Sequence, residues 1–263
     1  MHSSNQADLL LESDNGVVSV TLNRPAKRNA LLPDQLARLQ EMLGDLARDA
    51  SCRVVVIRGS GGDAFCAGYE VGAIPLESPD TPHQLLRATM AAIEGLPVPV
   101  IAMIEGICMG AGCELAAACD IRLCNDKARI GMPPAKLGVL YHPTGLERFI
   151  NLVGVGWTKY LFLTGRSVDA STAKSIGLVH EVLREKDLQA YTREFAREMA
   201  EENAPLSVRG AKAMVGILAN HHRLTFGETD LMDEWIGRCF RSEDAAEGRR
   251  AFAEKRKPRF RGQ

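Results

Sequence analysis

The chain has no apolar run near the ~18 residues needed to cross a bilayer; its longest candidate, Val98 to Ile104, is strand-sized. The start, Met1 to Leu11, lacks a basic segment ahead of its short apolar run, which breaks at Glu12, so no secretory signal is read there and a cytoplasmic location is expected. An excess of one charge is also missing. The 32 Lys and Arg nearly cancel the 33 Asp and Glu, leaving no global field for nucleic acid or an anionic membrane, and neither is expected as a partner. The seven cysteines include no CxxC pair and lie in apolar segments, which reads as reduced, packed thiols with neither a disulfide framework nor a metal site. There is no internal repeat, low-complexity linker, Gly-x-Ser-x-Gly elbow, GKS/GKT phosphate loop or His-Glu-x-x-His. Gly110-x-Gly112-x-x-Leu115 lacks the third glycine of the dinucleotide fingerprint, which excludes that reading.

What is present is a globular composition. With 263 residues, 46% of them hydrophobic and 25% charged, the chain can bury one sizeable core with a small appendage. Ala7 to Glu12 and Val17 to Leu22, around Ser13-Asp14-Asn15-Gly16, predict a hairpin. Leu36, Leu39, Leu43 and Leu46 recur at helical spacing between Pro33 and about Ala50. Val54 to Ile57 and Val98 to Ile104 read as buried strands, with a helix from about His83 to Gly95 between them and a further strand at Ile121 to Cys124. This alternation predicts an α/β protein of parallel β-α units. From Thr144 onward helices dominate: Leu146 to Val153, Trp157 to Thr164, Lys186 to Glu202, Pro205 to Ala219, Phe226 to Phe240, and a last one from Ser242 to Lys257. Gly177 to Val182 is the one strand expected among them.

Two glycine-rich strand exits carry the chemical signal: Phe65-Cys66-Ala67-Gly68-Tyr69-Glu70, and Gly110-Ala111-Gly112-Cys113-Glu114. Small residues let a ligand approach the main chain, and free N–H groups at a loop or helix start bind developing negative charge. Two such groups converging would make an oxyanion hole.

Asn23-Arg24-Pro25-Ala26-Lys27-Arg28-Asn29-Ala30-Leu31, Ala64-Phe65-Cys66-Ala67-Gly68, the Gly110 to Glu114 segment with Cys119-Asp120-Ile121, and the stretch from Ser242 to Arg256 together resemble, in order and spacing, the crotonase (enoyl-CoA hydratase/isomerase) superfamily. The resemblance covers most of the chain. It implies a ClpP-like spiral of β-β-α units over residues 1–200, with a helical region over residues 201–263 for trimerisation and coenzyme A contacts. It implies an acyl-CoA substrate, a homotrimer or homohexamer, and no cofactor beyond the coenzyme A of the substrate. By position, the amides of Tyr69 and Ala111 would hold the thioester oxygen. Lys27, Arg28 and Ala67 would meet coenzyme A, joined by Phe252 and Lys255 from the neighbouring closing helix. Glu114, one turn past Ala111, falls on the first of two hydratase glutamates, and is otherwise a carboxylate favoured by the helix dipole.

The second glutamate is where the chain departs from the family, because Pro134 stands at its place and neither donates nor accepts a proton. Leu137-Gly138-Val139-Leu140-Tyr141-His142-Pro143-Thr144-Gly145 is similar to methylmalonyl-CoA decarboxylases, which carry a tyrosine at Tyr141 but a histidine where this chain has Tyr69. Tyr141 would then bond a substrate carboxylate or Glu114, or else be a packed ring with a satisfied hydroxyl. His142 and Glu147 are further candidates by position. Three functions remain open: decarboxylation of a malonyl-type acyl-CoA, hydration or isomerisation with Glu114 as sole carboxylate, and acyl-CoA binding without turnover. The stretch Val71 to Thr89 is expected to line the acyl pocket.

Overall fold

The structure, a computed structural model, describes residues 8–70, 80–220 and 226–263. Strands β1 (Leu9–Asp14) and β2 (Val17–Leu22) form an antiparallel hairpin, and α1 (Pro33–Arg48) follows. A β-β-α unit then occurs three times: β3 (Val54–Gly59), β4 (Ala64–Cys66) and α2 (Asp80–Glu94); β5 (Val100–Ile104), β6 (Ile107–Met109) and α3 (Ala111–Ala118); β7 (Ile121–Asn125), β8 (Arg129–Gly131) and α4 (Pro134–Leu137). The chain continues through α5 (Pro143–Thr164), β9 (Ser167–Asp169), α6 (Ala170–Ser175), β10 (Glu181–Leu183), α7 (Leu188–Glu202), α8 (Pro205–Asn220), α9 (Phe226–Arg241) and α10 (Glu243–Ala253).

The first strand of each unit joins a six-stranded sheet of order β1-β2-β3-β5-β7-β10, and the second joins a four-stranded sheet of order β4-β6-β8-β9. Pairing is parallel except for the β1-β2 hairpin and for β9 against β8. The repeat is thus one of path rather than of sequence. Its second strands are three residues long, too short to show a period of two, and the small sheet was not expected for that reason.

The central strands β3 and β5 of the large sheet are buried on both faces, which explains the unbroken β-branched runs. Val55, Ile57, Val100, Ala102 and Ile104 share one core with Leu36, Leu39 and Leu43 of α1, while Val54, Val56, Ile101, Met103 and Leu123 meet Leu188 and Ala196 of α7. Each Val, Leu, Ile or Met among them contributes about 1.5–3 kcal/mol on burial. Pro99, lacking an N–H, precedes the start of β5 at Val100, two residues later than expected. The strand expected at Gly177 to Val182 shrinks to Glu181–Leu183, because the N–H groups of Leu178 and Val179 both donate to the Ala173 carbonyl and close α6 instead. The two helices expected at Leu146 to Val153 and Trp157 to Thr164 form one element, interrupted at Gly154 (φ 75°, ψ 167°).

All seven cysteines are free, and six are buried. Among the described residues no helix is long and apolar enough to cross a membrane.

Candidate active site

Strands β4 and β6 are neighbours in the small sheet, so the chain leaving each enters the same space. Gly68 (φ 112°) and Gly110 (φ 53°) both adopt left-handed conformations that side chains disfavour. The two exits also touch. A Cβ on Gly68 would lie 3.1 Å from the Met109 carbonyl oxygen and 3.7 Å from the Ala111 nitrogen. One on Gly112 would lie 2.6 Å from the Cys66 Cβ and press on the Cys66 carbonyl.

Leu31 N–H donates to the Gly68 carbonyl (2.7 Å) and Glu70 N–H donates to the Leu31 carbonyl (2.9 Å), which turns the intervening Tyr69 N–H to the other side. Ala111 opens α3, where a first-turn N–H has no partner within the helix. No described acceptor is bonded to either amide. The segment bearing Tyr69 is tied down by Asn29, which is fully buried and donates through Nδ2 to the Ser60 (3.0 Å) and Ala64 (2.7 Å) carbonyls. Arg24 adds a bond to the Ala30 carbonyl (2.6 Å) and an ion pair with Glu70 (2.7 Å).

Between the exits lies a cavity of about 180 Å³ whose lining includes Ala67, Tyr69, Ala111, Glu114, Pro134 and Tyr141, with apolar Leu137, Val139 and Leu140 among its walls. Glu114 is the only carboxylate among the described residues that line it. Its side chain is buried, and Arg148 of α5 donates to it from Nη1 (2.9 Å) while donating to Glu94 from Nε (2.6 Å). Burial raises the Glu114 carboxyl above its ordinary value; Arg148 opposes that rise and Glu94 adds to it. Gly145 leaves room for the carboxylate, since a Cβ there would come within 2.8 Å of Glu114 Oε1.

Tyr141 is a packed ring. Its ring meets Phe162 edge-on (5.7 Å, 86°), and Phe162 meets Phe149 in the same manner (5.2 Å, 77°). The hydroxyl would lie 3.4 Å from a Cβ on Gly110, and no described protein group is bonded to it. Burial, then the Glu114 charge, push the phenol well above its ordinary value, so it stays a proton-bearing donor near neutrality. Cys66 is no nucleophile, since burial pushes its thiol up to about 12.

The fold therefore gathers Ala67, Tyr69, Ala111, Glu114 and Tyr141 in one cavity. Lys27 and Arg28 are exposed outside its lining, although the Arg28 carbonyl accepts from Ala67 N–H (2.9 Å). Lys255 is exposed in the C-terminal region, and the side chain of Phe252 lies outside the described residues. His142 lines the cavity, but its Nδ1 accepts from Thr144 N–H (3.3 Å) and so caps α5. Glu147 is exposed and lines a separate cavity. Of the expected acyl-pocket stretch, Leu86 and Arg87 do line the cavity, while 71–79 lie outside the described residues. Arg148 and Glu94 went unnoticed in the sequence, where no pattern shows that their helices bring them together.

The described residues thus form a small, largely apolar cavity in an α/β fold, lined by Tyr69, Ala111 and one carboxyl, Glu114. The family model for enoyl-CoA hydratase/isomerase matches residues 12–263. The short-chain-enoyl-CoA hydratase of Clostridium acetobutylicum is 32% identical over 255 residues, covering 95% of this chain and 96% of its own. The crotonyl-CoA hydratase of Syntrophomonas wolfei is 31% identical, covering 96% and 97%. Among solved structures, the enoyl-CoA hydratase from Bacillus anthracis superposes with a TM-score of 0.90 at 33% identity, covering 98% of this chain and 100% of its own. The chain has the crotonase fold and belongs to the enoyl-CoA hydratase/isomerase family.

Proposed function

We propose that this family member acts on an acyl-CoA thioester through an enolate whose oxygen is held by the N–H groups of Tyr69 and Ala111, and that its reaction is decarboxylation of a malonyl-type acyl-CoA. The observation that carries the reading is that, among the described residues lining the cavity, Glu114 is the one carboxyl and is buried, while Pro134, which the resemblance places at the family's second acid, stands in the wall. Decarboxylation needs one proton donor. The bond from the α-carbon to the carboxylate breaks, its electron pair enters the enolate, CO₂ leaves, and Glu114 delivers a proton to the α-carbon as the thioester carbonyl re-forms. Burial pushes the Glu114 carboxyl above its ordinary value, the direction a proton donor requires. The Tyr141 hydroxyl, with no partner among the described residues, is the donor we assign to the substrate carboxylate, and exposed Lys27 and Arg28 are assigned to the coenzyme A phosphates.

A second reading, hydration or double-bond isomerisation with Glu114 as sole carboxylate, is favoured by the names of the relatives. The two are separated by offering the purified protein methylmalonyl-CoA and crotonyl-CoA in parallel, following CO₂ release and thioester mass. Decarboxylation of the first with the second untouched is expected. Rapid hydration of crotonyl-CoA with methylmalonyl-CoA left intact would overturn the proposal. The pH profile separates them too: a protonated donor loses activity as pH rises through the Glu114 pKa, whereas a base gains it. Thioester binding without turnover of either class would leave a binding subunit.

We also propose self-association into a trimer or hexamer, with Phe252 and Lys255 reaching a neighbour's coenzyme A. Support comes from apolar side chains left exposed on α5 and α8, among them Leu163 (74%), Val215 (64%) and Leu218 (51%). A monomeric mass by light scattering at micromolar concentration would remove this part.

A further inference from the structure

Glu114 does not stand alone. Arg148, its side chain 10% exposed, reaches across from α5 and splits its guanidinium between two carboxylates, Nη1 to Glu114 Oε1 at 2.9 Å and Nε to Glu94 Oε1 at 2.6 Å. Glu114 is buried on one side of this bridge, while the Glu94 side chain, at the end of α2, is 47% exposed on the other. Behind the bridge opens a second cavity of about 700 Å³, lined by Glu94, Glu147, Arg148, Asn151 and Lys212 among others. Thr144 lines both cavities, so the Glu94–Arg148–Glu114 bridge lies where they meet.

We infer that Arg148 is a positioning residue that holds the reacting carboxyl in place, and that Glu94 tunes it by competing for the same guanidinium. The inference rests on the acid-base role proposed for Glu114. A carboxylate within hydrogen-bond distance of a half-neutralised arginine is stabilised less than one with the arginine to itself. Glu94 therefore keeps Glu114 more readily protonated than the bare ion pair would, in the direction its environment already pushes it. The other ionisable groups among the described residues lining the two cavities are Tyr69, Arg87, Tyr141 and His142 on one side and Asp120, Glu147 and Lys212 on the other. Only Arg148 is bonded to it among the described residues.

The two partners pull in opposite directions, and this makes the inference testable without any substrate. In protein carrying ¹³C-labelled glutamate, the Glu114 carboxyl resonance, assigned by its loss in Glu114→Gln, is titrated by NMR. Glu94→Gln should move its midpoint down, and Arg148→Met should move it up. Arg148→Lys, which keeps a charge but loses the fork, should fall between wild type and Arg148→Met. If Arg148→Met does not fold, the Glu94→Gln and Arg148→Lys pair decides the matter. Midpoints that stay at the wild-type value, or that move the same way in Glu94→Gln and in the Arg148 variants, would overturn the inference, because general structural damage has no reason to split in sign. A correct split with no decarboxylation or hydration would sink the functional reading while leaving the tether intact.

Discussion

The cavity has two walls built on different principles. One is main chain: Gly68, Tyr69, Gly110 and Ala111, fixed by a backbone contact between strand exits and by Asn29 and Arg24 behind them. The other is side chain: Glu114, Tyr141 and Pro134, contributed by α3, the segment before α5, and α4. In the proposed reading the first wall offers two donors to a carbonyl oxygen whatever side chains surround it, so it suits every reaction that passes through a thioester enolate. The second decides what becomes of the enolate. Similarity to hydratases across the whole chain therefore says more about the first wall than about the second.

The comparison breaks most sharply at Glu114. Glu114→Gln keeps size and hydrogen bonding but removes the proton, and turnover should fall by roughly 10²–10⁴-fold, while the thioester still binds. Isothermal titration beside steady-state rates checks the split; equal loss of binding and turnover would mean that Glu114 serves the architecture. The next largest effect is on the main-chain wall. Gly112→Val drives a side chain into Cys66, which should cost about 1–3 kcal/mol of stability and, by displacing Ala111, about 3 kcal/mol of barrier. Thermal denaturation and turnover together test this, and a variant as stable and active as wild type would show that the two exits do not depend on their contact.

These walls were not equally legible in the sequence. The main-chain wall is written in short contiguous runs of small residues, and Ala67, Gly68 and Tyr69 of one run and Gly110 and Ala111 of the other line the cavity. Glu114 was legible because it sits one helical turn from Ala111. Arg148 and Glu94 were not, since their contacts join residues 34 and 54 positions apart on helices whose own patterns say nothing of which faces meet. The large sheet showed itself through β-branched runs, while the small sheet that aims the two exits consists of three-residue strands with no pattern to read. His142 is a candidate by position alone, and the structure uses it to cap a helix.

Tyr141→Phe sharpens the side-chain wall. Its ring packing on Phe162 survives the change and its hydroxyl has no described protein partner, so stability should shift by no more than about 0.5 kcal/mol. If the hydroxyl holds the substrate carboxylate, the loss is a charge-assisted bond worth about 1.5–3 kcal/mol, or about 10–100-fold in turnover of a malonyl-type substrate. Unchanged rates in Tyr141→Phe would return the carboxylate to some other group, with Arg87 at the cavity the next to test.

The smallest expected effect is a gain. Pro134 begins α4, so its missing N–H lies where a helix leaves donors unpaired, and glutamate fits that first turn electrostatically. Pro134→Glu places a second carboxyl in the lining opposite an unchanged main-chain wall. If the walls are separable, this variant should acquire slow hydration of crotonyl-CoA above the wild-type background while the enolate machinery stays as it was. Hydration in wild type equal to that of Pro134→Glu would show that Glu114 suffices, and the proline would then no longer argue for decarboxylation.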